Sequence, residues 1–169
     1  MAKTLPTAKT SPQIHNIPPV WDARSQILVL GSFPSVKSRE AQFFYGHPQN
    51  RFWRVLSGVL DQPVPETIPQ KKEFLLENHI AVWDVIASCE IEGSSDSTIR
   101  NVVPNDLAHI LDHAPIAQIY CNGAKSYDLY RKYCQPCSGR PAVKLPSTSP
   151  ANAAYSLSRL LESWQVIKK

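Results

Sequence analysis

Four stretches of the chain gather residue types that chemistry can use. The longest is Phe43-Phe44-Tyr45-Gly46-His47-Pro48-Gln49-Asn50-Arg51-Phe52-Trp53. Three consecutive aromatics before a Gly-His-Pro turn are hard to bury together. At least one is expected to face a cleft, where a flat ring can stack on a nucleobase. Phe52 and Trp53, further along, suit the core of a helix better. Asn50 stands at the expected N-cap of that helix, and its amide either caps the helix or orients a reacting group; the residues alone leave both open. The second stretch is Gly31-Ser32-Phe33-Pro34-Ser35, after an apolar run. Glycine lets a backbone approach closely and proline stiffens the loop, so backbone N–H groups can be presented to an anion or a base carbonyl. A plain turn is the competing reading. The third is Leu145-Pro146-Ser147-Thr148-Ser149-Pro150, three hydroxyls between prolines ahead of a helix. This suits a phosphate site or an ordinary serine cap. In the fourth, Asp84 ends an apolar run, so its carboxylate requires a partner or a task. It either faces a ligand or braces the loop that reaches Asp96. Asn122, ahead of Gly123, either lines the same place or shapes a turn.

The elements that must position these residues alternate between strand and helix. Apolar strand signals cover Gln26 to Leu30, Ile80 to Trp83, Ile116 to Tyr120 and Ala142 to Leu145. Helical spacing covers Asn50 to Leu60, Gln70 to Asn78, Asn105 (as N-cap) to His113, Ala124 to Tyr133, and Asn152 to Trp164, the last amphipathic. Asp61 to Pro69, with three prolines, reads as a connecting loop. Alternation of this kind predicts right-handed βαβ units, hence an α/β fold: a three-layer αβα sandwich around a central, mostly parallel four-stranded sheet. Ligands of such sheets sit beyond the carboxyl ends of the strands. Gly31–Ser35, Asp84, Asn122–Gly123 and Ser147–Ser149 should therefore converge.

Length and composition bound the rest. A chain of 169 residues with 43% hydrophobic and 19% charged content suits one domain around one core. Residues 1–19 hold four of the 15 prolines and no periodicity, and are expected to form a flexible tail ahead of a domain spanning residues 20–169. No apolar run is long enough to span a bilayer and no secretory h-region opens the chain, so the expected location is the cytoplasm. A net charge of +4 and a pI near 8.9 lean weakly toward polyanionic partners. Of Cys89, Cys121, Cys134 and Cys137, only the last two have CxxC spacing, without a second pair or flanking histidines. Free thiols are expected rather than zinc, disulfides or a cluster.

Five segments, in order, resemble the uracil-DNA glycosylase superfamily, and most closely its hypoxanthine-DNA glycosylase family. They are LGSFPS, FFYGHPQNRFW, WDVIASCEIEGSSDSTIRN, YCNG followed by Lys125, and LPSTSPA. The HPQNRFW run is the most specific; mismatch-specific uracil glycosylases carry a similar one. The resemblance spans about Ile27 to Ala151 and implies an αβα sandwich, excision of a deaminated base from double- or single-stranded DNA, and no metal or organic cofactor. In uracil enzymes of this superfamily an acidic or amide residue of the first motif orients the attacking water. Phe33 occupies that place here and cannot do so. In the hypoxanthine family the duty passes to the asparagine of the HP-x-N run, here Asn50.

The mechanism implied is extrusion of the lesion nucleotide, which is least costly for a mispaired base, followed by attack of water at C1′. By that resemblance Gly31, Ser32, Phe33, Phe44, Tyr45, Asp84 and Asn122 form the base pocket, with Phe43 joining the aromatic stack. Pro34, Ser35, Lys37, His47, Arg51, Lys125, Ser147, Thr148 and Ser149 contact DNA. Arg39 and Lys144 flank these motifs and add positive charge. Donors near Asn122 and Gly31 would meet negative charge on the departing base. No lysine is clearly placed for Schiff-base chemistry, so the product is an abasic site. The protein is expected to act as a monomer away from membranes. Rival readings are a broader uracil glycosylase, a serine hydrolase using Ser32 or Ser35 with His47, and a non-catalytic nucleic-acid binder. The scattered cysteines lead to a direct expectation: base release should survive chelator, and elemental analysis should find neither stoichiometric zinc nor iron.

Overall fold

A computed structural model describes residues 11–168. The strands are β1 (Ser11–Ile14), β2 (Ile27–Gly31), β3 (Ile80–Asp84), β4 (Ile86–Ile91), β5 (Arg100–Pro104), β6 (Gln118–Asn122) and β7 (Ala142–Leu145). The helices are α1 (Val36–Ala41), α2 (Phe52–Leu60), α3 (Ile68–Glu77), α4 (Ala108–His113), α5 (Ala124–Leu129), α6 (Gln135–Ser138) and α7 (Leu157–Trp164). A π turn, Tyr130–Cys134, joins α5 to α6.

Strands β3-β2-β6-β7 form one sheet with every pairing parallel. Their side chains are apolar on both faces because both faces are covered. Val29, Val82 and Tyr120 pack with α2, α3 and α7; Leu28, Leu30, Ala81, Ile119 and Cys121 pack with α4, α5 and β4. This is the expected αβα sandwich. The register sets Gly31 beside Asp84, Leu30 beside Cys121 and Asn122 beside Leu145. The carboxyl ends are thus level with one another. From β2 the chain crosses to β3 over one face, and from β3 it reaches β6 over the other, so β2 lies at the switch point where ligands bind in open α/β sheets.

Local chemistry explains several boundaries. Thr67 and Gln70 form a capping box at the start of α3, ending the proline-rich loop as anticipated. The last helix begins at Leu157, capped by Ser156, because Ser147 to Asn152 is committed to loop hydrogen bonds. Asn105 does not cap α4. Its Nδ2 donates to the carbonyls of Asp84 (2.9 Å) and Ile86 (3.1 Å), holding the β3–β4 turn.

Two features depart from the sequence reading. A second, antiparallel sheet, β1-β4-β5, covers part of the outer layer. Its strands are short and mixed in polarity, so no clear alternation marks them. Within the tail expected over residues 1–19, the part from Ser11 onward is structured. From Ser11 the chain is strand β1, paired residue by residue with Ile91 to Ser88, and Ile17 is only 2% exposed within the core; Met1 to Thr10 lie outside the described residues. Val20 bridges to Val82 on the free edge of β3. A real tail would tolerate Ile17→Ala; here the cavity left should cost about 2–4 kcal/mol, measurable as a lower urea midpoint.

Candidate active site

A cavity of about 340 Å³ opens at the carboxyl ends of β2, β3 and β6, within the roughly 300–1,000 Å³ of small-ligand pockets. Of the residues expected to converge, Gly31 to Ser35, Asp84, Asn122 and Ser147 to Ser149 line it and Gly123 does not; Phe44, Tyr45, His47 and Asn50, named through the resemblance, line it too. Ser94, Asp96, Pro150 and Ala151, within the quoted motifs though not named as site residues, also line it, as does Ser38, which carried no sequence signal.

Its organising network joins three loops. The Asn50 side-chain oxygen Oδ1 accepts from the Phe52 backbone N–H (2.9 Å) and from the Thr148 hydroxyl (2.9 Å). A backbone N–H can only donate, so the atom facing it is the oxygen and not the nitrogen. Both lone pairs of Oδ1 are then used, which leaves the Nδ2 hydrogens uncommitted among the described residues. Thr148 also accepts from Asn122 Nδ2 (3.0 Å), and its own N–H donates to Asn122 Oδ1 (3.0 Å). Asn50 therefore does brace the start of α2, while its amide nitrogen remains available in the wall.

Asp84 sits beside Gly31, buried. A Cβ on Gly31 would lie 2.3 Å from Asp84 Oδ1 and 3.0 Å from the Tyr45 hydroxyl oxygen. Glycine is required at this position to let both groups approach the strand. Oδ2 is held by His15 Nε2 at 2.8 Å. The loop to Asp96 is instead tied by Ser32 Oγ donating to Asp96 Oδ1 (3.2 Å). The Tyr45 hydroxyl is buried without a hydrogen-bond partner. Burial, and next the nearby Asp84 carboxylate, push its phenol well above the usual tyrosine range; the Asn122 side chain opposes this in part without reaching hydrogen-bond geometry.

Aromatic placement narrows the expected stack. Phe43 stacks on Trp53 in the core (ring centroids 6.1 Å apart) and is absent from the cavity wall. Tyr45 spends its face on Phe52, with centroids 3.9 Å apart. Phe33 and Phe44 line the wall beside it.

The residues expected to contact DNA are placed as follows. Thr148 is 0% exposed with its hydroxyl engaged on both sides, so it organises the site rather than gripping phosphate. The Arg51 guanidinium donates to the carbonyls of Ser149 (2.9 Å), Asn152 (3.1 Å) and Tyr155, which makes it a brace for the loop after β7. Arg39 is likewise spent on Gln13, Ser35 and Gly93. Lys37 is exposed, 3.7 Å from Glu40, outside the cavity. Lys125 is half-buried and lines a separate surface hollow beside β5. Exposed Lys144 lines a groove that shares Asp96, Ser147, Ser149 and Ala151 with the cavity. Ser35 Oγ caps α1, and His47 Nδ1 accepts from the Gln49 N–H (3.0 Å). Neither Ser32 nor Ser35 hydrogen-bonds to a histidine among the described residues, which removes support for a serine hydrolase. Cys89, Cys121 and Cys134 are buried free thiols, with Cys137 exposed; burial raises the first three, Cys121 to about 12 and Cys134 to about 11.

An open parallel sheet with a ligand-sized cavity at its switch point, walled by the GSFPS, HPQN and LPSTS loops, defines a class. The chain belongs to the uracil DNA glycosylase superfamily, whose family model matches residues 18–168. Within that class it is similar to hypoxanthine DNA glycosylases of two Methanosarcina species. It is 32% identical to that of Methanosarcina acetivorans over 151 residues, 89% of this chain and 94% of the relative. It is 36% identical to that of Methanosarcina barkeri over 111 residues, 64% of this chain and 70% of the relative. The solution NMR structure of a candidate uracil DNA glycosylase from Methanosarcina acetivorans superposes with a TM-score of 0.77 at 33% identity, covering 90% of this chain and 94% of that one.

Thr148→Val keeps the shape and removes the hydroxyl shared by Asn50 and Asn122. With buried amide groups left unpaired, unfolding free energy should fall by about 1–3 kcal/mol. A threonine that only contacted phosphate would leave stability unchanged.

Proposed function

We propose that the protein hydrolyses the N-glycosidic bond of a deaminated base in DNA, hypoxanthine foremost, and leaves an abasic site. The observation that carries this reading is the state of Asn50. It is locked by Phe52 and Thr148 in a cavity at the strand ends, with its two amide hydrogens uncommitted. One of those hydrogens can hold a water by one lone pair of its oxygen, leaving the other lone pair aimed at C1′ of an extruded nucleotide. The C1′–O bond forms as the C1′–N bond breaks; the electron pair of the broken bond leaves with the base, and the water's proton passes to that base. Positioning is enough where the sugar becomes cation-like before attack, because an oxocarbenium centre accepts a weak nucleophile.

Charge in the wall agrees with that picture. Asp84 and Asp96 supply carboxylates, and no lysine or arginine lines the cavity among the described residues. Negative wall charge favours the cationic sugar, and without a lysine in the wall the reaction stops at the abasic site. For the base, Asp84 Oδ1 accepts from N1–H of hypoxanthine and the second Asn122 amide hydrogen donates to O6 or N7. Adenine lacks the N1 proton and carries an amino donor at position six, so it would leave both groups mismatched and be rejected. The names of the Methanosarcina relatives agree with hypoxanthine as substrate. DNA enters past Ser147, Ser149 and Lys144, with the expelled phosphate counterions giving salt-dependent, sequence-independent affinity. The protein acts as a monomer on double- or single-stranded DNA, without metal or organic cofactor, in the cytoplasm. No helix among the described residues is long and apolar enough to cross a membrane.

Duplex and single-stranded oligonucleotides carrying inosine or uracil, treated with protein and then alkali, should break at inosine. Asn50→Ala should slow single-turnover excision on the order of 10²-fold while DNA binding persists and stability drops by about 1 kcal/mol from the lost brace on α2. Near-normal excision by the folded variant would return Asn50 to a purely structural role. Cleavage at uracil alone would move the substrate to the uracil branch.

A further inference from the structure

His15 lies behind the cavity, on the segment the sequence suggested was a tail. Its side chain is 1% exposed. Its backbone N–H donates to the Ala87 carbonyl at 2.7 Å, directly after β1 pairs with β4. The ring sits among Phe33 and Phe44, each with a centroid 6.0 Å away, and Trp83 at 6.4 Å. Phe33 and Phe44 are themselves cavity wall. The imidazole is thus boxed on several sides by rigid groups that also shape the pocket.

Its hydrogen bonds define its protonation. The Ile17 backbone N–H donates to Nδ1 at 3.2 Å. Nδ1 must then be the bare nitrogen, so Nε2 carries the proton and donates it to Asp84 Oδ2. The pair is a neutral imidazole giving one N–H to a carboxylate. This consumes Oδ2 and leaves Oδ1, the oxygen lying over Gly31, as the acceptor in the wall. Without that donor the buried carboxylate could rotate about its last torsion and would lack a partner for one oxygen, a costly state away from water.

We propose that His15 is a positioning residue: it fixes the orientation of Asp84 so that Oδ1 is presented to the N1–H of the extruded purine. The proposal rests on the glycosylase reading above, and adds to it that the N-terminal strand is part of the substrate-recognition apparatus.

Two variants and one background test it. His15→Leu keeps bulk and removes the donor; His15→Gln places an amide N–H near the former Nε2. Single-turnover excision of hypoxanthine should fall about 10- to 100-fold in His15→Leu, the scale of one hydrogen bond to a charged group, and be largely restored in His15→Gln. In an Asp84→Asn background, His15→Leu should add little further loss, because residues acting as a unit are not additive. A merely structural His15 would give equal losses in both backgrounds, follow the melting temperature, and show no rescue by glutamine. Any of those results, or wild-type excision by folded His15→Leu, overturns the proposal. Independently of activity, nitrogen-15 NMR of the wild-type protein should show His15 as the neutral form protonated at Nε2. An imidazolium or an Nδ1-protonated ring overturns the proposal even if hypoxanthine is excised. An Nε2-protonated ring in a protein that excises no hypoxanthine overturns the glycosylase reading and, with it, the recognition role, while leaving the His15–Asp84 bond established.

Discussion

The parallel, in-register pairing of β2 with β3 is the constraint on which the rest depends. It places Gly31 and Asp84 side by side at the same height. Because Gly31 has no side chain, a carboxylate oxygen and a tyrosine hydroxyl can both occupy the space above it. Everything in the cavity is arranged around that gap. The neighbouring pairing of β6 with β7 does the equivalent at the other wall, where Asn122 and the loop after Leu145 come level. At Gly123, a backbone φ of 99° and a near contact with Ser147 let that loop close onto the strand end.

A second tier of interactions converts nearby loops into one object. The hydroxyl of Thr148 ties Asn50 to Asn122, and the Arg51 N–H donates to the Thr148 carbonyl at 3.1 Å. The Arg51 side chain then spans to the residues leading into α7. Trp164, on α7, donates its indole N–H to the Pro146 carbonyl at 3.0 Å. Helix α2, the loop after β7 and α7 are thereby cross-linked through partly buried groups. Unpaired partners in such a place are costly, which is why the network resists partial breakage. The asparagine that the proposed reaction requires is immobilised by the same bonds that stabilise the fold, so precision at the site comes from ordinary structural pressure.

Much of this was legible in the sequence where local signals are strong. Ile27 to Leu30 and Ile80 to Trp83 are apolar without interruption, as strands buried on both faces must be, and both are found with ends moved by a residue. The rule that ligands gather at strand ends placed Gly31, Asp84 and Asn122 together. Legibility failed where a residue's role depends on a distant partner. Arg51 and Thr148 look like phosphate contacts because their chemistry suits phosphate; only the fold shows backbone carbonyls and amides already occupying them. Asn105 looks like a helix cap, yet it bonds to carbonyls flanking a turn some twenty positions earlier. His15 carries no local signal at all. A lone histidine among prolines reads as surface until β1 is seen to pair along β4.

That pairing has a consequence for how the molecule is made. His15 and Asp84 are 69 positions apart, and β1 pairs with a strand that leaves the ribosome long after it. Contacts of such sequence separation carry a loop-closure cost that local contacts do not. Until the first described residues dock, His15 is not in place behind Asp84. The assembled sheet would serve as a template for its own N-terminal segment, so that an intermediate with every strand of the main sheet in place would still lack a finished recognition face. Selectivity for the base would then depend on the docking of a segment that lies ahead of every strand of the main sheet in the sequence.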